Sequence, residues 1–306
     1  MILNCPLCHH NDHIIIYEEL GYAGASVVKC KNCSHIYTRL EEDIPGTDLY
    51  NDEVYKVVEN RASVFDKLLT WEYKKVLRKI HSLKPGKLAL LDFGCGKGKF
   101  ASLAQAKGWE VKCVETATER AGYARKIYGL DVSSDYYSSG KIFDEEFDVL
   151  TLFHVLEHLP GPADLLKELI RSNLKNDAMV LIEVPNKKSW QSSIAGKRWM
   201  HLDVPRHINH FTAKRLEQFA KDLGLEIKRT SYFSFHLGVL GMTDSLLKLF
   251  GYRKNIIYQL KNKKSIGLLF CIGLIMPFSL ILESLAAMTR RGGIVRKYFV
   301  RKQDHS

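Results

Sequence analysis

The chain has 306 residues, 46% of them hydrophobic, enough for a catalytic domain with appendages and too many for a chain that stays disordered. Its net charge of +11 suggests a polyanion as partner until the charge is located: from Gly251 to Ser306, eleven Lys or Arg face only Glu283 and Asp304, and they bracket an apolar run. That placement favours an anionic lipid surface and makes nucleic acid an unlikely partner.

Met1 leads straight to Cys5 without the basic and apolar stretches of a secretory signal, and an odd cysteine count of seven fits a reducing compartment, so a cytoplasmic enzyme is expected. Residues 1–39 are rich in Cys, His and Asn, with short β-like runs at Ile14–Tyr17 and Val27–Lys29, which predicts a small autonomous ribbon of hairpins. Within it the pairs Cys5/Cys8 and Cys30/Cys33, both CxxC, are spaced to converge on one tetrahedral zinc. Four thiolates leave no open position, so such a zinc is structural, and so small a segment folds only with the metal. The competing reading is buried thiols or a redox pair.

Residues 40–87 form an acidic linker, Leu40–Tyr55, and a helical segment from about Val57 to Ser82 that stops before Lys84-Pro85-Gly86. From Leu88 to about residue 236, apolar runs alternate with helical patterns, LALLDFG through AMVLIEVPN. Strands apolar throughout are covered on both faces, so the fold class is α/β, a doubly wound and mostly parallel sheet. A helix at Thr212–Leu223 and strands near Leu225–Phe233 and at Ile294–Arg301, within 292–306, complete it. The turn Asp92-Phe93-Gly94-Cys95-Gly96-Lys97-Gly98 follows a buried strand and opens a helix, so its glycines let backbone approach a ligand. A dinucleotide site would place its third glycine where Lys99 stands, which disfavours a nicotinamide. Glu115, at the end of the next strand, is placed to accept both hydroxyls of a ribose.

The segments LDFGCGKGKF, CVET, FDVLTLFHVLEHLPGPADLL and VLIEVPN, in that order, resemble the class I S-adenosylmethionine-dependent methyltransferases. The resemblance implies a seven-stranded sheet, with Asp92, Gly94 and Gly96 at the methionine part of the cofactor and Glu115 at its ribose. It implies Asp135 and Tyr136 near adenine, and Phe153 and His154 as the floor beneath the sulfonium; SSDYYSSGKIF is more polar than the family pattern there. With CPLC, CKNC, VPN, LDVPRH and NHFT, the chain is similar to a bacterial subgroup with an N-terminal zinc ribbon, often associated with cell-surface glycan or lipid-linked sugar assembly. The resemblance thus implies methyl transfer to a small or lipid-linked acceptor, on a sugar hydroxyl or other oxygen. Two alternatives are a nucleic-acid-modifying methyltransferase that reads through its ribbon, which offers only Lys29, Lys31 and Arg39, and a non-catalytic membrane-associated scaffold.

An oxygen acceptor needs a base, and His154 at the end of the fourth core strand is placed either for that role or to hydrogen-bond the cofactor, with His207 and His210 as further catalytic candidates. The spacing of His154, Glu157 and His158 on one helical face, to which the segment Pro205-Arg206-His207-Ile208-Asn209-His210 could bring another imidazole, makes them a candidate site for a second divalent metal, the alternative being a helix start that packs and caps. Residues 187–210 carry Trp190, Trp199, His201, Asp203, Arg206 and His207, a costly set for an idle loop, and read as a substrate lid; Arg206 suits either an acceptor phosphate or carboxylate, or a surface ion pair. In the insertion at 237–291, the uncharged run Ser265–Leu282 is borderline for a membrane span, but the chain must return to the sheet by Ile294. A helical hairpin bent at Pro277, or helices lying in the interface, satisfies both, giving peripheral or monotopic attachment at the inner membrane face; two helices packed on the domain or on a second subunit is the alternative. Nothing in the sequence sets the oligomeric state.

Overall fold

The computed structural model describes residues 1–42, 63–254, 256, 259–260 and 266–301. Most of the expected linker, the start of the expected helix at Val57, and Lys261, Lys263 and Lys264 lie outside them. Helix α1 runs Val64–Leu83, opened by the Ser63 side chain accepting from the Asp66 amide, and it stops at Lys84, which Pro85 holds extended.

A seven-stranded sheet follows, with strands β4 (Ala89–Phe93), β5 (Glu110–Val114), β6 (Asp131–Ser133), β7 (Phe147–Phe153), β8 (Leu174–Pro185), β10 (Leu225–Ser231) and β11 (Ile294–Arg301). Their spatial order is β10-β11-β8-β7-β4-β5-β6, parallel except for β11, which runs against both its neighbours. The doubly wound expectation holds because both faces are covered. Helices α4 (Pro162–Asn173) and α6 (Ala213–Asp222) bury Leu166, Leu169, Leu216 and Phe219 on one face. On the other face, α1 and α2 (Lys99–Gln105) bury Val76, Leu77, Ile80 and Phe100. Helix α3 (Thr118–Tyr128) links β5 to β6 and packs through Ala121 and Ala124.

A second sheet holds the ribbon strands β1 (His13–Tyr17), β2 (Ala25–Cys30) and β3 (Ile36–Leu40), and then β9 (Asn209–His210). The ribbon is therefore not autonomous: β9 pairs with β3 in the register Ile36↔His210 and Tyr37↔Asn209, covering an edge whose backbone groups would otherwise lack partners. The Asn209 amide ties the junction to the core by donating to the Leu156 and Leu159 carbonyls, while its oxygen meets the His35 Nε2.

Between β10 and β11 come a π-helical turn, Phe235–Val239, then α7 (Leu240–Leu249) and α8 (Ile266–Met288). The expected hairpin bend at Pro277 is corrected: α8 runs on through Pro277, whose missing amide removes one bond of the helix, and packs against α7. One stripe of α8, Ile272, Ser279, Glu283 and Ala286, is buried, and most of its other apolar side chains face outward.

Candidate active site

At the carboxyl end of β4 the chain turns through Gly94 and Gly96, both left-handed. A Cβ on Gly94 would come 2.5 Å from the Val155 side chain, so this glycine serves packing. Gly96, at φ +56°, has no described atom within 4 Å of where its Cβ would stand: the turn presents bare backbone to open space. Glu115, just past β5, braces that turn by accepting from the Gly96 amide at 2.8 Å and the Ala117 amide at 2.9 Å. A carboxylate has about four acceptor directions, so two bonds to backbone leave capacity for hydroxyl donors. Asp92 is buried and accepts from the Thr151 hydroxyl at 2.7 Å; burial pushes its carboxyl up to about 7, with the Thr151 bond opposing and the Glu115 charge adding.

Phe153 ends β7 with its ring 4.7 Å from Phe100 and 5.5 Å from Tyr73 of α1. Asp135 lies past β6, exposed and turned back on Ser133, and Tyr136 beside it is 85% exposed. These two are less closely built into the turn than Asp92 and Glu115.

His154 stands in the left-handed region at φ +57°, costly for a residue with a Cβ and imposed by what its ring holds. Its Nδ1 meets Glu157 Oε1 at 3.0 Å and its Nε2 meets Glu183 Oε1 at 3.1 Å. Burial alone would lower the imidazole, but two carboxylates raise it to about 10. With both nitrogens donating, His154 is a fixed positive charge at neutral pH and has no lone pair to take a proton. Burial would raise both carboxyls, but His154 brings Glu157 down to about 2, and the Arg296 charge followed by His154 lowers Glu183.

The network continues inward. Arg296 of β11 donates through Nε to Glu183 and lies 3.0 Å from Glu72 of α1, whose other oxygen meets His236 Nδ1 at 2.7 Å. Sequence reasoning passed over Glu72, Glu183 and Arg296. A signal existed in the run VLIEVPN, where Glu183 interrupts a strand otherwise apolar, and in IVRKYFV, where Arg296 and Lys297 do, since charges in strands buried on both faces demand partners.

Residues 187–210, expected to be a substrate lid, form a wall packed on the ribbon and the insertion: α5 (Trp190–Ala195) and Trp199 pack against Val27 and Leu202, and the Gln191 amide donates to Glu283 and the Gly238 carbonyl. Arg206 pairs with Asp203 at 2.5 Å, the ion-pair alternative for that side chain. His210 is buried with its Nε2 2.9 Å from the Thr38 hydroxyl, which fixes it to the ribbon seam. The grouping of His154 with Glu157 and His158 on one helical face is corrected. His154 precedes the short 3₁₀ turn Leu156–His158 and binds Glu157, whereas Glu157 and His158 converge with His207 of the wall, their ligand atoms within 4.8 Å of one another.

A family model described as a methyltransferase domain matches residues 65–230, leaving the ribbon and the apolar insertion outside the match. The ubiquinone biosynthesis O-methyltransferase of Neisseria meningitidis serogroup A / serotype 4A is 25% identical over 224 residues, spanning 64% of this chain and 93% of that protein. The protein of the same name from Burkholderia thailandensis is 26% identical over 169 residues, spanning 51% and 72%. The solved structure of the plantazolicin methyltransferase BpumL in complex with SAH covers 84% of this chain and 93% of its own at 14% identity, with a TM-score of 0.50, a likeness of fold.

Proposed function

The chain belongs to the methyltransferase-domain family and is an S-adenosylmethionine-dependent methyltransferase, and from that premise we propose that it methylates an oxygen, such as a sugar hydroxyl, on a small or lipid-linked acceptor at the inner face of a membrane. The observation that carries this is the bare backbone turn at Gly96, braced by Glu115 and backed by Asp92 at the carboxyl end of β4. S-adenosylmethionine supplies a methyl carbon on a sulfonium, already activated for displacement. The residues that suit it are Asp92 for the ammonium of its methionine part, Gly96 for close approach of the backbone with Gly94 turning the chain under Val155, Glu115 for the ribose hydroxyls, and Asp135 at the rim. Because the leaving group is good, this chain's work is alignment, exclusion of water and removal of the acceptor hydroxyl's proton; with His154 committed to two carboxylates, His207 and His210 remain the candidates for that base. His154, locked between Glu157 and Glu183, is held in one orientation beside Phe153 at the carboxyl end of β7. The names of the relatives specify O-methylation, which supports oxygen as the acceptor atom.

We also propose a structural zinc at Cys5, Cys8, Cys30 and Cys33. Their sulfurs lie within 4.8 Å of one another, with Cys5 to Cys33 at 3.5 Å and Cys8 to Cys30 at 3.6 Å, a convergence suited to one tetrahedral ion.

The membrane proposal rests on α8, the one helix among the described residues long and apolar enough to cross a bilayer. Its two flanking strands, β10 and β11, pair in one sheet, so the helix lies on the surface instead of crossing once. Ile272 packs against Leu247 and Ile256, which removes it from the membrane-facing set, whereas Leu269, Phe270 and Leu274 face outward. Each basic residue near an anionic leaflet adds about 1 kcal/mol, and apolar burial is not screened by salt. The protein is therefore expected to float with anionic liposomes, with binding weakened but not abolished by high salt. Replacing Leu269 and Phe270 by Glu releases it to the soluble fraction without change in cofactor affinity. An unmodified protein that stays unbound, or a variant that floats equally well, contradicts the membrane assignment.

A further inference from the structure

We propose that Glu157, His158 and His207 bind a divalent transition metal, a site distinct from the four cysteines. Three observations converge on it. First, Glu157 Oε2 is buried and has no hydrogen-bond partner among the described residues, although Oε1 of the same carboxylate is satisfied by His154. A buried carboxylate oxygen left without a partner in this manner calls for a cation. Second, the two histidines are held in the tautomer that metal ligation requires. His158 Nδ1 lies 3.1 Å from the Arg206 carbonyl and His207 Nδ1 lies 2.8 Å from the His201 carbonyl. A carbonyl only accepts, so each Nδ1 donates and Nε2 is the ring nitrogen left to face a metal, the bracing usual behind ligating histidines. Third, one ligand atom from each of the three residues falls within 4.8 Å of the others, and the rings of His158 and His207 stand 4.7 Å apart at 74°. Asp203 Oδ2, 3.8 Å from His207 Nε2, adds a carboxylate beside the set.

Two imidazoles and a carboxylate form a borderline donor set that favours Mn²⁺, Fe²⁺, Co²⁺ or Zn²⁺ over Mg²⁺ or Ca²⁺. His154, candidate for this site by sequence spacing, is excluded because both its nitrogens are committed to carboxylates. The ligands come from two elements. Glu157 and His158 belong to the turn after β7, while His207 belongs to the wall, with its carbonyl held at 2.6 Å by the hydroxyl of Thr38 in the ribbon. The ion therefore pins the wall to the core. On the methyl-transfer reading above, its remaining positions are available to an acceptor oxygen.

Cobalt is the probe. The full chain, its cysteines first loaded with Zn²⁺, is titrated with Co²⁺ and followed by visible absorption and calorimetry. The expected result is one further equivalent per chain, with weak d–d bands and no thiolate-to-cobalt charge-transfer bands. His158→Ala and His207→Ala each weaken that equivalent at least tenfold, and Glu157→Gln weakens it as well, thermal unfolding serving as the check that each variant is folded. Absence of a second equivalent in the unmodified folded protein overturns the proposal, as does an equivalent whose affinity is the same in all folded variants. The readout is metal uptake, so its failure leaves the methyl-transfer reading standing, and failure of methyl transfer leaves the metal site standing.

Discussion

Gly96→Val is expected to lower affinity for S-adenosylmethionine at least about 100-fold, a loss of about 3 kcal/mol, while the chain stays folded. The two effects separate because of where the side chain would go. No described atom lies within 4 Å of the new Cβ, so the protein itself has room, and the cost to folding is that of a left-handed residue bearing a branched side chain, about 1–2 kcal/mol. On the proposed reading the cofactor approaches the backbone in that open space, so the valine takes the ligand's volume. Gly129 provides a control: it caps α3 at φ +64°, also with no described atom within 4 Å, so Gly129→Val carries the same backbone penalty away from the turn. Calorimetric titration should show binding lost in the first variant and kept in the second; equal affinities in both would remove the turn from the cofactor site.

Stripping zinc, or replacing Cys30 by Ser, should unfold the ribbon and carry disorder into the wall. The small core around Cys5, Val28, Cys30 and Tyr37 cannot hold three short strands alone, and structural zinc in such modules contributes about 10 kcal/mol or more. Because β9 pairs with β3, and Thr38 holds the His207 carbonyl and the His210 ring, loss of the ribbon also frees residues 207–210. Hydrogen exchange should therefore show protection lost at Ile36–Leu40 and Asn209–His210 together, while the amides of β4, β7 and β8 stay protected. Elemental analysis should find the zinc in the untreated protein, and a metal-free preparation with unchanged exchange in both segments would contradict the coupling.

The seven-stranded core was legible because each of its central strands is buried on both faces and so reads as an unbroken apolar run between helical patterns; Leu90, Leu91, Leu150, Leu152, Leu181 and Ile182 are all inaccessible to solvent. The glycine turn and its acidic brace were legible because those residues lie close together in sequence. The ion network was not, since Arg296 and Glu183 meet across a strand pair formed by residues more than a hundred positions apart, and Glu72 comes from a helix ahead of the core. The two-residue strand β9 has no periodicity to detect, which is why the ribbon looked independent. In the insertion, composition indicated an apolar element but not which side of α8 would find partners. A uniformly apolar helix has no stripe, and only packing against α7 set Ile272 apart from Leu269.

The most direct test of the account is to incubate the purified protein with methyl-labelled S-adenosylmethionine and fractionated cell lipids, glycans and other small molecules, then follow the label. Incorporation into a lipid or small-molecule fraction as an oxygen-linked methyl group is the predicted result. A protein that binds the cofactor but labels only nucleic acid, or labels no fraction at all, would contradict it.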